Sequence, residues 1–328
     1  MIISKTPIRV SFFGGGTDYP DFFNKYGGEA LSTTIDKYIY ITVKKLDQLS
    51  EFKYKMFYSQ IDFCNHIEEI KHPVIKACLN FLEINDGIEI HVISDLPAKS
   101  GTGSSSSFTV GLLNAIYTLY GITVSKKKLA EDAINIEQNI LQERVGVQDQ
   151  MAAAYGGFNH LKFSTEDGLQ ANELIFNENK KLELQESLLM FYTGITRYAH
   201  EILEEQLQKT KNNQATIDLE SIKQMVKEGI SILKEEKDLE KFGKLLDNAW
   251  QTKKSLSSAI SNSTIDKIYD LAIKAGATGG KLLGAGGGGF LVFYVDKLRQ
   301  EEVRKALSDF IEIPFKFENI GSEIIYFN

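Results

Sequence analysis

The chain carries the stretch DLPAKSGTGSSSS at residues Asp95–Ser107. It follows a strand-like segment, Ile88–Ser94, and leads into a segment with helical spacing, Ser104–Tyr120. Gly101 and Gly103 allow close approach of the backbone, and the serines after them place hydroxyl and free N–H groups at a helix N-terminus, where the helix dipole favours an anion. The stretch therefore predicts a phosphate-binding loop. Taken alone, it is also compatible with a plain turn and helix cap.

This loop differs from the P-loop of many nucleotide-binding enzymes. The pattern G-x-x-x-x-G-K-[ST] is missing, so the usual lysine has no counterpart here. A serine hydroxyl, from Ser104 or Ser105, would have to serve a metal ion without it.

A second glycine-rich segment, Gly279–Phe290, reads GGKLLGAGGGGF. Gly284, Gly286 and Gly289 have the G-x-G-x-x-G spacing of a dinucleotide fingerprint. That fingerprint follows a strand and opens a helix, whereas here a helical pattern precedes the glycines and the strand-like FLVFYV follows them. Four consecutive glycines are costly in conformational entropy, so a simple turn explains them poorly. We expect a close approach to another backbone or to a ligand.

The segment Lys5–Tyr19, KTPIRVSFFGGGTDY, predicts a strand that ends in three glycines and then presents Thr17 and Asp18. A carboxylate just past a glycine turn suits recognition of sugar hydroxyls, because an ionised acceptor makes strong hydrogen bonds. Asp18 is equally suited to be the N-cap of a helix over 19–26. The two roles are compatible.

The segment Glu137–Gln150, EQNILQERVGVQDQ, places the carboxylates of Glu137, Glu143 and Asp149 around Gly146. A kinase needs an oxygen ligand for Mg²⁺ and, in many mechanisms, a carboxylate that orients or deprotonates the attacking hydroxyl. Two carboxylates separated by a helix end would supply both. An exposed helix with Glu/Arg pairs would have much the same spacing.

Composition excludes several classes of function. The 328 residues carry a formal net charge of -7, so there is no cationic field for nucleic acid or an anionic membrane, and a small-molecule substrate is favoured. No signal-peptide pattern or long apolar run is present, and we expect a soluble, cytoplasmic protein. Neither H-E-x-x-H nor G-x-S-x-G occurs, which argues against zinc and serine hydrolases. Cys64 and Cys78 are expected to be reduced, packed thiols.

Periodicity predicts a chain of mixed strands and helices in two domains, with a boundary near 170–190. Predicted strands lie at 2–13, 38–46, 88–94, 157–163, 188–192 and 290–295. Predicted helices lie at 104–120, 125–141 with Ser125 as N-cap, 264–275 and 297–310, with two or three more within 197–260.

The order of four motifs resembles the GHMP kinase superfamily, which includes galactokinase, homoserine kinase, mevalonate kinase and phosphomevalonate kinase. The motifs are TPIRVSFFGGGTDY, DLPAKSGTGSSSS, GVQDQ and LLGAGGGGF. The resemblance implies an α+β, two-domain fold. A ribosomal protein S5 domain 2-like N-terminal domain, residues 1–184, would bind ATP, and residues 185–328 would form a ferredoxin-like α/β-sandwich C-terminal domain. It also implies ATP and Mg²⁺ as cofactors.

Within this superfamily, the opening TPIRVSFFGGGTDYP and the later LSTTIDKYIYI and YTGITR are most similar to the D-glycero-D-manno-heptose 7-phosphate kinases. That likeness implies phosphorylation of a sugar phosphate at its anomeric hydroxyl. Gly15-Gly16 stand where galactokinase has Glu-His, which argues against galactose as the acceptor, and Thr102 replaces a common leucine.

The resemblance also implies roles for single residues. Asp149 matches the catalytic aspartate, and Arg9 falls at a basic position from which it would keep Asp149 ionised and screen the transferring phosphoryl group. Ser105 and Glu137, the latter twelve residues before Asp149, match the ligands of Mg²⁺. The implied ATP-binding residues are Pro97, Ser100, Gly101, Thr102, Gly103, Ser104, Ser105 and Ser106. Gly16, Thr17 and Asp18 would bind the sugar, and Gly284, Gly286, Gly287 and Gly288 would form a structural glycine loop.

A phosphate on the sugar would need a cationic pocket of its own. Arg197 in YTGITRY is the first candidate, followed by Lys37 and Arg144, although Arg197 would also suit a surface helix. Two alternatives stay open: a kinase of a fucose- or galactose-like sugar, and a catalytically silent regulator that binds ATP and sugar. A mevalonate-diphosphate-type decarboxylase and an NAD-dependent oxidoreductase rank lower. The sequence does not indicate the oligomeric state.

Overall fold

The computed structural model describes residues 1–98, 100–195, 208–212, 214–235 and 238–328. The strands of this part of the chain form a nine-stranded sheet and a four-stranded sheet. Helices cover both, which gives the α+β architecture that the sequence predicted.

The larger sheet is built around two long antiparallel strands, β1 (Ile2–Phe13) and β2 (Gly28–Lys45). The order β13-β1-β2-β5-β3-β4 forms its main path, and β6, β7 and β12 extend it from β2. The further strands are β3 (Tyr54–Phe57), β4 (Ile61–Cys64), β5 (Ile88–Ser94), β6 (Phe158–Ser164) and β7 (Gly168–Glu173). The described helices between β1 and β7 are α1 (Pro20–Tyr26), α2 (Pro73–Phe81), α3 (Ser104–Leu119), α4 (Lys126–Ile134) and α5 (Gln148–Tyr155).

Helix α3 lies at the centre of the first core because nearly all of its first four turns is apolar or small. Phe108, Val110, Leu112 and Leu113 are buried in one cluster with residues of β2, α2 and α4. This packing fixes the start of α3, and with it the glycine- and serine-rich loop, against the middle of β1.

The smaller sheet has the strand order β11-β8-β10-β9. Its first strand in the sequence, β8, comes directly after helix α6 (Glu178–Glu186). Its strands are β8 (Leu188–Tyr192), β9 (Ala277–Leu282), β10 (Phe290–Val295) and β11 (Ile311–Glu312). The helices here are α7 (Thr216–Lys234), α8 (Glu240–Leu256), α9 (Ser263–Lys274) and α10 (Gln300–Ala306). The last strands, β12 (Phe317–Glu318) and β13 (Glu323–Phe327), return to the larger sheet and pair with β2 and β1. The boundary between 184 and 185 stays a prediction.

Several predicted elements agree closely with the structure. β1, β5, β8 and β10 have the predicted bounds, and the Ser125 hydroxyl caps α4 by accepting the Lys128 N–H at 3.1 Å. The helix predicted over 125–141 is regular only to Ile134 and continues as a π-helix, Asn135–Ile140. Cys64 and Cys78 are buried free thiols, as expected. Among the described helices, none is both long and apolar enough to cross a membrane.

Candidate active site

The side chains of Arg9 and Asp149 form a bidentate ion pair. Arg9 Nε donates to Asp149 Oδ1 and Nη2 donates to Oδ2, each at 2.8 Å. Arg9 is on β1 with 4% of its side chain exposed, whereas Asp149 is in the first turn of α5 with 25% exposed. The buried guanidinium of Arg9 therefore fixes the carboxylate of Asp149 on its inner side, while its outer side remains accessible to solvent.

The same arginine holds the glycine- and serine-rich loop. Arg9 Nη1 donates to the carbonyl oxygen of Gly101 at 2.6 Å, and its backbone N–H donates to that of Thr102 at 3.1 Å. Gly103 has φ +73°, and a Cβ there would lie 3.2 Å from Asp149 Oδ2. The loop backbone thus reaches the Arg9–Asp149 pair, and both this close approach and the positive φ favour glycine at this position.

Predicted ATP-binding side chains in this loop point in different directions. Ser100 is buried and donates to the Pro97 carbonyl oxygen at 2.7 Å, and Thr102 is buried beside it. They shape the loop internally, so what this part presents to a ligand is its backbone. Ser104 is also buried, whereas Ser105, at the start of α3, is exposed. Its hydroxyl is therefore the accessible one at this helix N-terminus.

Glu137 is buried in a cluster of neutral donors. Its Oε1 accepts from the Thr109 hydroxyl at 2.6 Å, and its Oε2 accepts from the Ser106 hydroxyl at 2.8 Å and from Gln150 Nε2 at 2.6 Å. Burial raises the pKa of Glu137 to about 7, against the effect of these hydrogen bonds. The serine that contacts Glu137 directly is thus Ser106, the neighbour of the predicted partner Ser105.

This cluster fits a divalent cation. Gln150 Oε1, next to Glu137, is buried and has no hydrogen-bond partner among the described residues. The three neutral donors leave the buried carboxylate of Glu137 without a balancing positive charge. Mg²⁺ prefers oxygen ligands and is commonly held by one or two carboxylates together with phosphate oxygens. Over the part of the chain that the structure describes, no group of three His, Cys, Asp or Glu forms a self-sufficient metal site.

Asp18 lies in the turn after β1, close to Asp149. Its Oδ1 accepts the Gly16 N–H at 2.9 Å, and its carboxylate packs so tightly on Gly146 that a Cβ there would be 1.8 Å from Oδ2. Burial first, and the negative charge of Asp149 second, raise the pKa of Asp18. The N-cap prediction for Asp18 is wrong, since α1 begins at Pro20 after Tyr19 and no side chain caps it.

The neighbouring turn residues differ in what they expose. The Thr17 hydroxyl is buried, lies 2.8 Å from the carbonyl oxygens of both Gly14 and Glu29 and can donate to either, so it holds the turn to β2. A Cβ on Gly15 would meet only Gln148 Nε2, at 3.8 Å. The absence of a side chain at Gly15 therefore leaves open space beside the amide of Gln148.

The second glycine segment packs directly on the first. A Cβ on Gly284 would lie 2.4 Å from the Cα of Gly101, and one on Gly289 would lie 2.1 Å from the Ser100 carbonyl oxygen. Gly284, Gly286, Gly287 and Gly289 all have φ between +74° and +123°. This is the close backbone approach that four consecutive glycines predicted, and it joins the two halves of the chain at the glycine- and serine-rich loop.

Comparison with known proteins now gives the family. The model of the GHMP kinases N terminal domain matches residues 70–157, and that of the GHMP kinases C terminal matches 226–313. The D-glycero-alpha-D-manno-heptose 7-phosphate kinase of Campylobacter jejuni is 31% identical over 321 residues, 93% of either chain. The chain belongs to the GHMP kinase superfamily.

Two further relatives support a GHMP sugar kinase. A crystal structure of a D-glycero-D-manno-heptose 1-phosphate kinase from Bacteroides thetaiotaomicron superimposes with a TM-score of 0.82 at 26% identity over 100% of both chains. The galactokinase of Pyrococcus furiosus is 28% identical, covering 93% of this chain and 92% of its own. GHMP kinases transfer a phosphoryl group from ATP to an alcohol, and the relatives indicate a sugar as the class of acceptor for this member.

Two buried lysines of this GHMP kinase were not predicted from the sequence. Lys253 on α8 donates to the carbonyl oxygen of Gly284, and Lys281 on β9 donates to that of Phe12 at 2.7 Å. A signal for Lys253 was present: it shares the buried face of α8 with Phe242, Leu246, Ala249 and Leu256. One charged residue in an apolar stripe with helical spacing is unusual for a surface helix.

The three residues predicted to bind a phosphate on the sugar are not brought together in the described part of the chain. Arg197 lies outside the described residues. Lys37 pairs with Asp36 at 3.6 Å, and Arg144 is exposed. The backbone N–H of Glu143 donates to the carbonyl oxygen of Glu137 at 2.8 Å. This bond holds the backbone of Glu143 next to the residue that was predicted to bind Mg²⁺.

Proposed function

We propose that this GHMP kinase transfers the γ-phosphoryl group of ATP to the anomeric C1 hydroxyl of D-glycero-D-manno-heptose 7-phosphate, giving the 1,7-bisphosphate. The observation that carries the proposal is the position of Asp149. Its carboxylate is fixed by Arg9 between the Gly101–Ser105 loop, which suits a triphosphate, and Asp18, which suits a sugar hydroxyl. A donor site and an acceptor site therefore meet at one accessible carboxylate.

The names of two relatives support a heptose as the acceptor. The Campylobacter jejuni relative is named as a heptose 7-phosphate kinase, and the Bacteroides thetaiotaomicron relative is named as a heptose 1-phosphate kinase. Both names combine a manno-heptose with a phosphate, and a 1,7-bisphosphate carries a phosphate at each of the two positions named. Galactokinases have a Glu-His pair where this chain has Gly15-Gly16. The open space at Gly15 therefore supports an acceptor that is bulkier than galactose.

The proposed roles follow from the geometry. The triphosphate of ATP lies on the backbone N–H groups of Gly101–Ser105 at the N-terminus of α3. Ser105 and Glu137 are the residues that would hold Mg²⁺, and Gln150 Oε1, which has no partner among the described residues, lies next to Glu137. Mg²⁺, when bound, supplies positive charge to the β- and γ-phosphate oxygens.

Asp149 orients the anomeric hydroxyl for in-line attack on the γ-phosphorus. As the new P–O bond forms and the bond to the β-phosphate oxygen breaks, the hydroxyl proton passes to a carboxylate oxygen of Asp149. Because such transition states are loose, the proton leaves late, and the carboxylate that Arg9 holds in place lies where it can receive it. Asp18 accepts hydrogen bonds from other hydroxyls of the sugar.

A screen of acceptors by ADP release tests this function. The panel contains heptose 7-phosphate, free heptose, galactose, fucose and mevalonate, each with MgATP. We expect the highest kcat/KM for heptose 7-phosphate. A higher kcat/KM with fucose or galactose would replace the substrate but keep the kinase, and ATP binding without ADP release in any mixture would favour a silent regulator.

A further inference from the structure

Two lysines are buried where the halves of the chain meet. Lys253 of α8 is 8% exposed and Lys281 of β9 is 5% exposed. Lysine is rarely buried unless its ammonium is paired, because removing the charge from water is costly. The function proposed above assigns no role to either side chain.

Each ammonium is under-satisfied by the protein. Lys253 bonds to the Gly284 carbonyl oxygen and Lys281 to the Phe12 carbonyl oxygen. An ammonium has three protons to donate, so each lysine keeps two donors for other partners. Among the described residues, neither lysine forms a salt bridge with a carboxylate.

Their anchoring points border the two sides of the active site. Gly284 packs on Gly101 of the phosphate-binding loop, which places Lys253 on the nucleotide side. Phe12 is the penultimate residue of β1, just before the turn that carries Asp18, which places Lys281 on the sugar side. The two ammonium groups therefore belong to the same cleft as the Arg9–Asp149 pair.

The charges in this cleft do not balance. Burial is the main cause that lowers the pKa of Lys253 to about 8, and the charge of Arg9 adds to it, while Asp18 and Asp149 oppose it. Burial also lowers the pKa of Lys281, followed by the charges of Lys253 and Arg9. The three basic side chains thus repel one another, while the two carboxylates offset the charge of Lys253 alone. An anion bound among them would favour the charged form of both lysines.

We propose that Lys253 and Lys281 form a phosphate-binding site that completes the active site from the C-terminal half of the chain. The ligand class is a phosphate group, whose several acceptor oxygens can take N–H donors arriving from separate elements. The group has two possible sources: the phosphate that the sugar already carries, or the γ-phosphoryl group of ATP. The existence of the site does not depend on the proposed function, but the choice between the sugar phosphate and the γ-phosphoryl group rests on it.

Inorganic phosphate is the probe for the site itself. ³¹P line-broadening titrations would be run on enzyme saturated with MgADP, which occupies the nucleotide loop. We expect Lys253→Met and Lys281→Met each to weaken phosphate binding by roughly tenfold or more, the loss typical of one charge-assisted contact. Lys254→Met is the matched control, because Lys254 is the next residue of α8 but partly exposed and paired with Asp266. Equal affinity in wild type and in the Lys253/Lys281 double variant would overturn the proposal.

Thermal unfolding separates this role from a structural one. Methionine is close in length to lysine and removes a costly buried charge, so we expect the Tm of both variants to stay at or above that of wild type. A lysine that only supports the fold would show the opposite pattern, with a lower Tm and unchanged affinity for phosphate. That result also counts against the site.

Kinetics then identify the source of the phosphate. If the site takes the sugar's own phosphate, Lys253→Met and Lys281→Met raise KM for heptose 7-phosphate and leave free heptose unaffected. If it takes the γ-phosphoryl group, kcat falls by a similar factor for both acceptors. Unchanged kinetics with both acceptors would contradict the site even if phosphate bound. Failure of the proposed function looks different, because wild type would then turn over neither heptose while the titration still reports on the lysines.

Discussion

The guanidinium of Arg9 holds both carboxylate oxygens of Asp149, each at 2.8 Å, across 140 residues of sequence. The same guanidinium donates to the carbonyl oxygen of Gly101 in the glycine- and serine-rich loop. Arg9 therefore positions both Asp149, which is proposed to accept the proton of the sugar hydroxyl, and the loop that is proposed to bind ATP. Loss of either partner should affect the chemical step more than the fold.

Asp149→Asn is expected to lower kcat by ~10²- to 10⁴-fold, the range for removal of a general base. The amide keeps the shape of the carboxylate, and the site is partly exposed, so we expect little change in Tm. Steady-state ADP release and thermal unfolding measure the two effects. Asp266→Asn, on α9 and partly exposed, is the control. A kcat within about tenfold of wild type would remove Asp149 from the mechanism.

Glu137→Gln is expected to raise the Mg²⁺ concentration needed for half-maximal activity by about tenfold or more, because a neutral amide is a much weaker ligand than a carboxylate. The buried charge is costly in the free enzyme, so the variant should fold at least as stably as wild type. Titration of activity with Mg²⁺ at saturating ATP checks this.

The control for that experiment is Glu131→Gln. Glu131 lies one helix earlier, on α4, where it is exposed and pairs with Lys127. An unchanged Mg²⁺ requirement in Glu137→Gln, matching this control, would show that the cation is held elsewhere.

The pKa of Lys253, lowered to about 8, predicts an alkaline limb in the activity of the free enzyme. A lysine with a lowered pKa loses its charge as pH rises through that value, so anion binding weakens above about pH 8. We expect kcat/KM to fall there, and kcat to fall only at higher pH, because a bound phosphate restores the proton. Profiles from pH 6 to 9.5 measure both. An alkaline limb that persists unchanged in Lys253→Met would assign it to another group.

Gly284→Ala is expected to destabilise the protein by about 1–3 kcal/mol and to raise KM for ATP, since the added Cβ would lie 2.4 Å from the Cα of Gly101 at a φ of +75°. Gly168→Ala is the matched control. Gly168 has φ +71° but nothing within 4 Å of an added Cβ, so it reports the cost of the backbone conformation alone. Equal effects of the two substitutions on Tm and on KM would mean that contact between the glycine loops is unimportant.

Local pattern predicted much of the fold and many members of the site. β1 was predicted from its alternating residues ahead of three glycines, and the start of α3 from the glycines before its serines. The motif order predicted that Arg9, Asp149 and the glycine- and serine-rich loop belong together, and the structure brings them into contact.

What escaped prediction depends on contacts between distant segments. Ser106, rather than Ser105, reaches Glu137 because the direction of each side chain around α3 depends on how the helix packs. The return of β13 to pair with β1 adds a C-terminal strand to the first sheet, and no local pattern specifies that partner. Lys253 and Lys281 were not predicted as site residues, because their burial depends on packing between distant elements, although the apolar stripe of α8 carried a signal for Lys253.

The position of the new phosphate decides whether this enzyme is a heptose 1-kinase. Wild-type enzyme would be incubated with MgATP and D-glycero-D-manno-heptose 7-phosphate, and the product followed by ³¹P NMR with coupling to protons. We predict one ADP per sugar and a new phosphate resonance coupled to the anomeric proton, and neither in Asp149→Asn over the same time. A phosphate on any other carbon, or no product from this sugar, would contradict the proposed function.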